Sequence, residues 1–297
     1  MVGKQERRYQ RMITVVLALI SLIMVIPLVL LVVASFTSNN EIVLHGYSFF
    51  PKELSLEAYR YIWNERAQVF HAYGITILVT AIGTTIGAMM TLLYAYVLAH
   101  EKFPGKTFLA FYLFFTMLFN GGLVPTYIMY TRYLHMKNTI PALIIPGLLM
   151  SAFNVILTRT YIQSNVPAAL SEAAKIDGAT EFQVFRKVVL PMCKPIIATV
   201  GLFAGLGYWN DWTNGLYYIT DTNKFSIQQL LNNMIKNIEF LSKNANSNIN
   251  LASVGGGIPQ ETVRMAIAIV GLLPILIVFP FVQKYFVKGI SIGAVKG

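Results

Sequence analysis

Trp209, Asn210, Asp211, Trp212 and Asn214 crowd into one otherwise mostly apolar stretch, "GLFAGLGYWNDWTNGL". Their chemistry is that of recognising a polar, uncharged molecule. Aromatic faces stack on the C–H side of sugar rings, and Asn and Asp exchange hydrogen bonds with hydroxyls. A few polar groups among aromatics is the usual make-up of such a site. Asp211 is the costly member: a carboxylate at the centre of a bilayer costs roughly 2.5–3.5 kcal/mol on insertion scales, so it should face water or protein. A second reading stays open, in which the tryptophans form an interfacial belt and Asp211 sits at an outer mouth. Asn120-Gly121-Gly122, followed by Pro125 and Tyr127, is a weaker second lining. Two glycines and a proline invite an unwound turn, tolerated in lipid only where the freed backbone meets protein or water. A simple packing kink explains it equally well.

Bond-making chemistry finds no support. Gly105-Lys106-Thr107 resembles the end of a phosphate-binding loop, but the position five before Gly105 is His100 rather than glycine, and an apolar helix rather than a strand precedes it. The four histidines, His45, His71, His100 and His135, have no metal-ligand or protease spacing. Cys193 is the single cysteine, which excludes a disulfide framework and a cysteine-rich metal site.

The elements that must carry these residues follow from composition. Of the 297 residues 56% are hydrophobic and 12% charged, and the mean hydropathy is +0.59. Soluble domains carry about 25% charged residues, so the solvent here is lipid. The net charge of +10 is not gathered into a nucleic-acid-reading motif but flanks apolar runs. A crossing helix needs about 20 apolar residues for roughly 30 Å of hydrocarbon. Six stretches qualify: Ile13–Phe36, Tyr73–Ala99, Phe108–Tyr130, Thr139–Leu157, Ile196–Tyr218 and Met265–Phe286. The first is too long for a cleaved signal and lacks the small-residue cleavage pattern. The expected fold is therefore all-α and polytopic, a single transmembrane domain over residues 1–297. Gly83-x3-Gly87 and Gly201-x3-Gly205 read as packing faces.

Orientation follows from basic residues. With the N-terminus inside, the inner segments hold fourteen Lys and Arg and the outer ones nine. Both termini and the loop 158–195 then lie inside, and loops 37–72 and 219–264 outside. Outside, "LSLEAYRYIW" reads as a helix capped by Ser55. "SIQQLLNNMIKNIEFL" carries Ile227, Leu230, Leu231, Met234, Ile235, Ile238 and Leu241 on one stripe, with Ser226 as a cap. It is either a membrane-surface helix or a lid or docking surface for an outside partner. The Asn/Ser/Gly-rich run 244–259 reads as a flexible loop.

One polar island interrupts the apolar chain inside: "SEAAKIDGATEFQVFRKVVLPMCKP", residues 171–195. Pro167 suits the first turn of a helix, with Ala169, Ala173 and Ile176 on one face. Gly178 can take φ > 0 and stop it. Thr180 and Gln183 have capping-box spacing for a second helix, with Phe182, Phe185 and Val188 on its apolar side, ended by Pro191. From pattern alone this is either a helix pair resting on the inner leaflet or a docking element.

Glu172-Ala173-Ala174, Gly178 and, after nine residues, Val188-x-Leu190-Pro191 resemble the coupling signature of ABC importer permeases, E-A-A-x3-G-x9-I-x-L-P. Val188 stands where the pattern has Ile, one methylene short, and Asp177 fits the common form. The six-stretch layout and "FFPKELSLEAYRYIW" resemble the carbohydrate-uptake permeases related to the maltose transporter. "FNGGLVPTYIMYTRYLHMKNT" resembles their branch for complex oligosaccharides. The resemblance implies that the island, between spans four and five, is a coupling helix for a cytoplasmic ATPase dimer, through Glu172, Ala173, Ala174, Asp177, Gly178, Leu190 and Pro191. It further implies a second permease subunit in a heterodimer, an extracellular or lipid-anchored solute-binding protein, and a bacterial cytoplasmic membrane. ATP and magnesium would be bound by the ATPase, leaving this chain without a cofactor and without catalytic residues. It lifts Trp209, Asn210, Asp211 and Trp212, then Asn120 and Tyr127, as a substrate pathway for oligosaccharides. The alternative is the same machine for an amino acid, peptide or other non-sugar solute.

Overall fold

The computed structural model describes residues 4–100, 103–245 and 260–294, and their regular secondary structure is helical apart from one isolated antiparallel bridge between Thr37 and Leu54. In chain order the helices begin with α1 (Lys4–Ser35), α2 (Asn39–His45), α3 (Glu57–Asn64), α4 (Arg66–Ala99), α5 (Lys106–Leu118) and α6 (Leu123–Ile128), which a widened turn extends to Tyr133. Next come α7 (Pro141–Ile144), α8 (Ala152–Asn165), α9 (Ala168–Ile176) and α10 (Glu181–Met192). The series closes with α11 (Lys194–Asn210), α12 (Thr213–Tyr218), α13 (Ile227–Ala245) and α14 (Gln260–Ala294). Lys102 and most of the loop expected at 244–259 lie outside the described residues.

Among the described residues, three helices are long and apolar enough to cross a membrane: Arg8–Ser35 in α1, all of α4, and Gln260–Pro280 in α14. The other three expected spans are not single helices. Phe108–Tyr130 breaks at residues 119–122, and α5 and α6 meet at 115°. Gly122 takes φ 82° there, and the Asn120 side chain accepts from the Gly122 N–H at 2.9 Å, holding the turn. Thr139–Leu157 breaks at residues 145–151, where Pro146 has no N–H to give and Gly147 takes φ 72°. Ile196–Tyr218 breaks at Asp211, whose Oδ1 accepts from the N–H groups of Thr213 and Asn214 and so restarts the chain as α12.

The chain divides into two compact units. One comprises Met1–Val69 and Leu231–Pro274, the other Phe70–Leu230 and Ile275–Gly297. In the first, the Tyr59 ring stacks on Phe36 at 4.8 Å and its hydroxyl shares a 2.8 Å hydrogen bond with Ser35. Glu261 joins this region by accepting from Tyr47 while its own N–H donates to Asn39. Arg264 reaches both Glu261 and Glu239. The N-cap of α3 is Leu56 rather than the expected Ser55, whose hydroxyl accepts from the Glu57 N–H at 3.2 Å in the turn before the helix.

In the second unit the two glycine pairs are packing faces. A side chain on Gly83 would strike the Tyr208 ring, and one on Gly87 would strike the Leu149 carbonyl. Gly201 and Gly205 face Thr84. Tyr208 donates to the Ile144 carbonyl at 2.9 Å and Asn214 to the Pro146 carbonyl at 2.9 Å, so α11 and α12 brace the broken segment before α8. The start of α13 is anchored by the Ile227 N–H, which donates to Thr76 of α4 at 2.8 Å, and by Ser226, which accepts from the Gln229 N–H. Ile227, Leu230, Leu231, Met234 and Ile238 of its stripe are buried by the chain itself. Among the described residues, these five positions of the stripe therefore leave no exposed apolar surface of their own.

Candidate functional site

Residues 167–193 form a hairpin of two short helices. Its corner is built by local rules. The Ala179 N–H donates to the Ala174 carbonyl at 2.9 Å and the Gly178 N–H to the Lys175 carbonyl at 3.0 Å, the paired bonds of a Schellman ending. Gly178 has φ 82°, as that ending requires, and nothing lies within 4 Å of where its Cβ would be. Thr180 and Gln183 then cap α10 reciprocally: Gln183 accepts from the Thr180 N–H at 2.8 Å and donates its own N–H to the Thr180 hydroxyl. Pro191 lies inside the helix rather than ending it; α10 stops at Met192. Without an N–H at Pro191 the preceding turn widens, and the Leu190 N–H reaches back five residues to Phe185. A 79° bend at Cys193 leads into α11.

Burial divides the hairpin cleanly. Val184, Phe185 and Val189 of α10 are buried with Ala95 and Leu98 of α4, Leu113 of α5 and Val155 and Ile162 of α8. Ala174, Val188 and Leu190 pack against that core at half burial. By contrast no residue of α9 is buried. Glu172, Ala173, Asp177, Gly178 and Pro191 are exposed. Phe182, read with Phe185 and Val188 as one apolar side, is 68% exposed, and Ile176 is 86% exposed. The apolar residues left uncovered therefore surround the Gly178 corner, while the buried residues that fasten the hairpin to the helical body all come from α10.

One cluster beside that corner was not anticipated. Glu181 lies 2.8 Å from the Lys175 ammonium and 2.9 Å from His100 Nε2, and accepts from the Tyr96 hydroxyl at 3.1 Å. Hydrogen bonding from Lys175 holds the Glu181 carboxyl below its ordinary range. Nothing in the spacing of Tyr96 or His100 points to this contact, because both lie some 80 residues away in sequence.

The expected pathway residues lie at two breaks of the chain, Asn120 within 119–122 with Tyr127 in the following α6, and Trp209, Asn210, Asp211 and Trp212 where α11 gives way to α12. Trp209 and Asp211 are half-buried and Asn210 and Trp212 exposed. The Trp209 ring lies 6.3 Å from Tyr73. Asn210 donates back to the Leu206 carbonyl. Asp211 is occupied as the cap of α12. Tyr127 stacks on Tyr218 with centroids 5.9 Å apart, inside an apolar cluster that also holds Ile144 and Tyr208. A cavity of about 310 Å³ lies instead beside the broken segment, lined by Gly87, Thr91, Ser151, Asn154, Phe203 and Gly207 among others. None of the expected pathway residues lines it. The Pro146-Gly147 pair and Asn154 were the signals for it in the sequence.

Comparison with known proteins covers nearly the whole chain. Residues 2–292 match the family described as "Binding-protein-dependent transport system inner membrane component". The chain is 35% identical to the polygalacturonan/rhamnogalacturonan transport system permease protein YtcP of Bacillus subtilis, over 99% of this chain and 100% of that one. It is 26% identical to the arabinooligosaccharides transport system permease protein AraQ of Halalkalibacterium halodurans, over 96% of each. A solved bacterial ABC transporter involved in the import of the acidic polysaccharide alginate has a chain of similar fold, with TM-score 0.75 and 27% identity, covering 96% of this chain and 99% of that one.

Proposed function

The chain belongs to the family of binding-protein-dependent transport system inner membrane components, and from that premise we propose that it is a permease subunit of an ATP-driven importer of oligosaccharides. It is a transport subunit and not an enzyme. The cargo class rests on relatives named for saccharides, polygalacturonan/rhamnogalacturonan, arabinooligosaccharides and alginate. None of these three favours the non-sugar alternative. The machine comprises a second permease, an ATPase dimer that binds ATP and magnesium, and a solute-binding protein on the outer face. Six crossings result if α5 with α6, α7 with α8, and α11 with α12 each make one bent span beside α1, α4 and α14. Both termini and the hairpin then face the cytoplasm of a bacterial cell.

The observation that carries this reading is α9: a capped, motif-bearing helix with no buried residue of its own. Local caps fix its shape, its apolar residues are uncovered at the corner, and α10 roots it in the helical body. Such an element is made to be gripped by another protein. Closure of the ATPase dimer would press on the corner and rock the spans by rigid-body motion, exposing the cavity to each side in turn.

The test is reconstitution in proteoliposomes with the three partners encoded beside it or supplied in trans. ATP-dependent uptake of oligogalacturonides, arabino-oligosaccharides or alginate oligosaccharides is expected. Uptake confined to amino acids or peptides, or purification without an associated ATPase, would overturn the reading.

A further inference from the structure

Glu181 is the first residue of α10, three beyond Gly178. It touches both arms of the hairpin and something outside it. Lys175 belongs to α9. Tyr96 lies in the last turn of α4, and His100 is the first residue past that helix. The Tyr96 ring also rests 5.2 Å from Phe185 and 5.5 Å from His100. His100 Nε2 either donates to Glu181 or accepts from Lys175, 3.1 Å away, and both arrangements keep the cluster joined. The remaining attachment of the hairpin is mainly apolar, through Val184, Phe185 and Val189, with one long hydrogen bond of 3.4 Å from the Tyr161 hydroxyl to the Met192 carbonyl. Apolar packing is not directional and lets elements slide, whereas charge-assisted hydrogen bonds fix a relative position.

What lies at the other side of that connection matters. α4 is a single helix of 34 residues. Along its length it supplies Thr91 and Gly87 to the cavity wall, and near its outer end Thr76 holds the start of α13. A displacement of its inner end is thus felt at the cavity and beyond.

Resting on the reading that the hairpin docks on an ATPase, we infer that Glu181, His100 and Tyr96 lock the hairpin to α4 so that the two move as one body. A push on the Gly178 corner then reaches the cavity wall at Gly87 and Thr91. These three are positioning residues: they contact neither nucleotide nor cargo, and act by fixing what the corner is attached to.

The experiment uses the assembled importer in lipid nanodiscs with a Cys193→Ala background. Spin labels go on Ala168→Cys at the start of α9 and on Gly74→Cys near the outer end of α4. Both positions are exposed, and nothing lies within 4 Å of the Gly74 Cβ position. In the otherwise unaltered protein the distance between labels is expected to stay constant, within about 2 Å, between the nucleotide-free and ATP–vanadate-trapped states. In a His100→Ala/Tyr96→Phe double variant, trapping is expected to shift or broaden it beyond that limit, and His100→Gln, which keeps an N–H donor, is expected to retain the constant distance. Should the double variant fail to assemble, His100→Ala and Tyr96→Phe are read singly. A distance that changes in the unaltered protein overturns the inference, as does one that stays constant in the variants. Loss of the ATPase from the unaltered complex overturns instead the docking reading on which the inference rests.

Discussion

Gly83 of α4 lies directly under the ring of Tyr208 in α11, so close that the smallest side chain at Gly83 would overlap it. The same ring holds the broken segment through the Ile144 carbonyl. Gly83→Ala should therefore destabilise by about 1–3 kcal/mol, the usual cost of overpacking. Gly201→Ala, whose Cβ would meet only Thr84 at 3.9 Å, should be close to neutral. Thermal unfolding of the two variants in detergent, compared with the parent, checks the contrast.

At the hairpin corner the cost is of another kind. Gly178 has open space around it but a left-handed backbone. Gly178→Asn, tolerant of that conformation, should fold and dock nearly as the parent does. Gly178→Val, with a branched side chain at φ 82°, should lose roughly 1–2 kcal/mol locally and most of its uptake. Co-purification of the ATPase and ATP-dependent uptake measured together distinguish a deformed corner from a failed insertion.

Glu181 makes stability depend on pH in a definite direction. Its carboxyl is held below the ordinary value of 4.5, chiefly by the hydrogen bond from Lys175. A folded-state pKa below the unfolded one adds stability above the ordinary value, and that stability is lost as pH falls through the lowered one. Both partners are about half exposed, so solvent screening keeps the contribution within about 1 kcal/mol. Glu181→Gln should remove this acid sensitivity, and melting curves of parent and variant between pH 7 and pH 3 should converge at the acid end.

Asp211 separates two roles by a pair of substitutions. Asp211→Asn keeps an oxygen for the Thr213 and Asn214 N–H groups, whereas Asp211→Ala leaves them without it and should cost about 1 kcal/mol as a lost cap. If capping is its whole task, Asp211→Asn transports at the parental rate. A drop of tenfold or more in uptake with unchanged melting would mean that the charge itself meets cargo.

These variants also mark what the sequence made legible. Features written in neighbouring residues were readable: the Thr180–Gln183 box, the Gly178 corner, the Ser226 cap, and the two glycine pairs as contact faces. Features that depend on distant residues were not. The break at 119–122 was legible in Asn120-Gly121-Gly122 and Pro125, but hydropathy averages over a window and carries no backbone, so residues 145–151 and Asp211 were read as parts of continuous spans. Asp211 stood out as a carboxylate in an apolar run, while its bonds to the Thr213 and Asn214 N–H groups, written within the next three residues, were not read there. Phe182 was grouped by period on one apolar side with Phe185 and Val188, but the tertiary core takes Val184, Phe185 and Val189. The tie from Glu181 to Tyr96 and His100 has no sequence signal, and the apolar stripe of α13 could not announce that this same chain would cover it.

The hairpin owes its form to bonds within some fifteen residues, from Ala168 to Gln183, before any neighbour arrives. A knuckle that is already shaped loses little conformational freedom when it enters a socket, so more of the contact energy remains to hold it there. It also means that the socket need recognise only a local shape. One ATPase could then drive several permeases whose remaining surfaces differ, provided each offers the same ready-made bend.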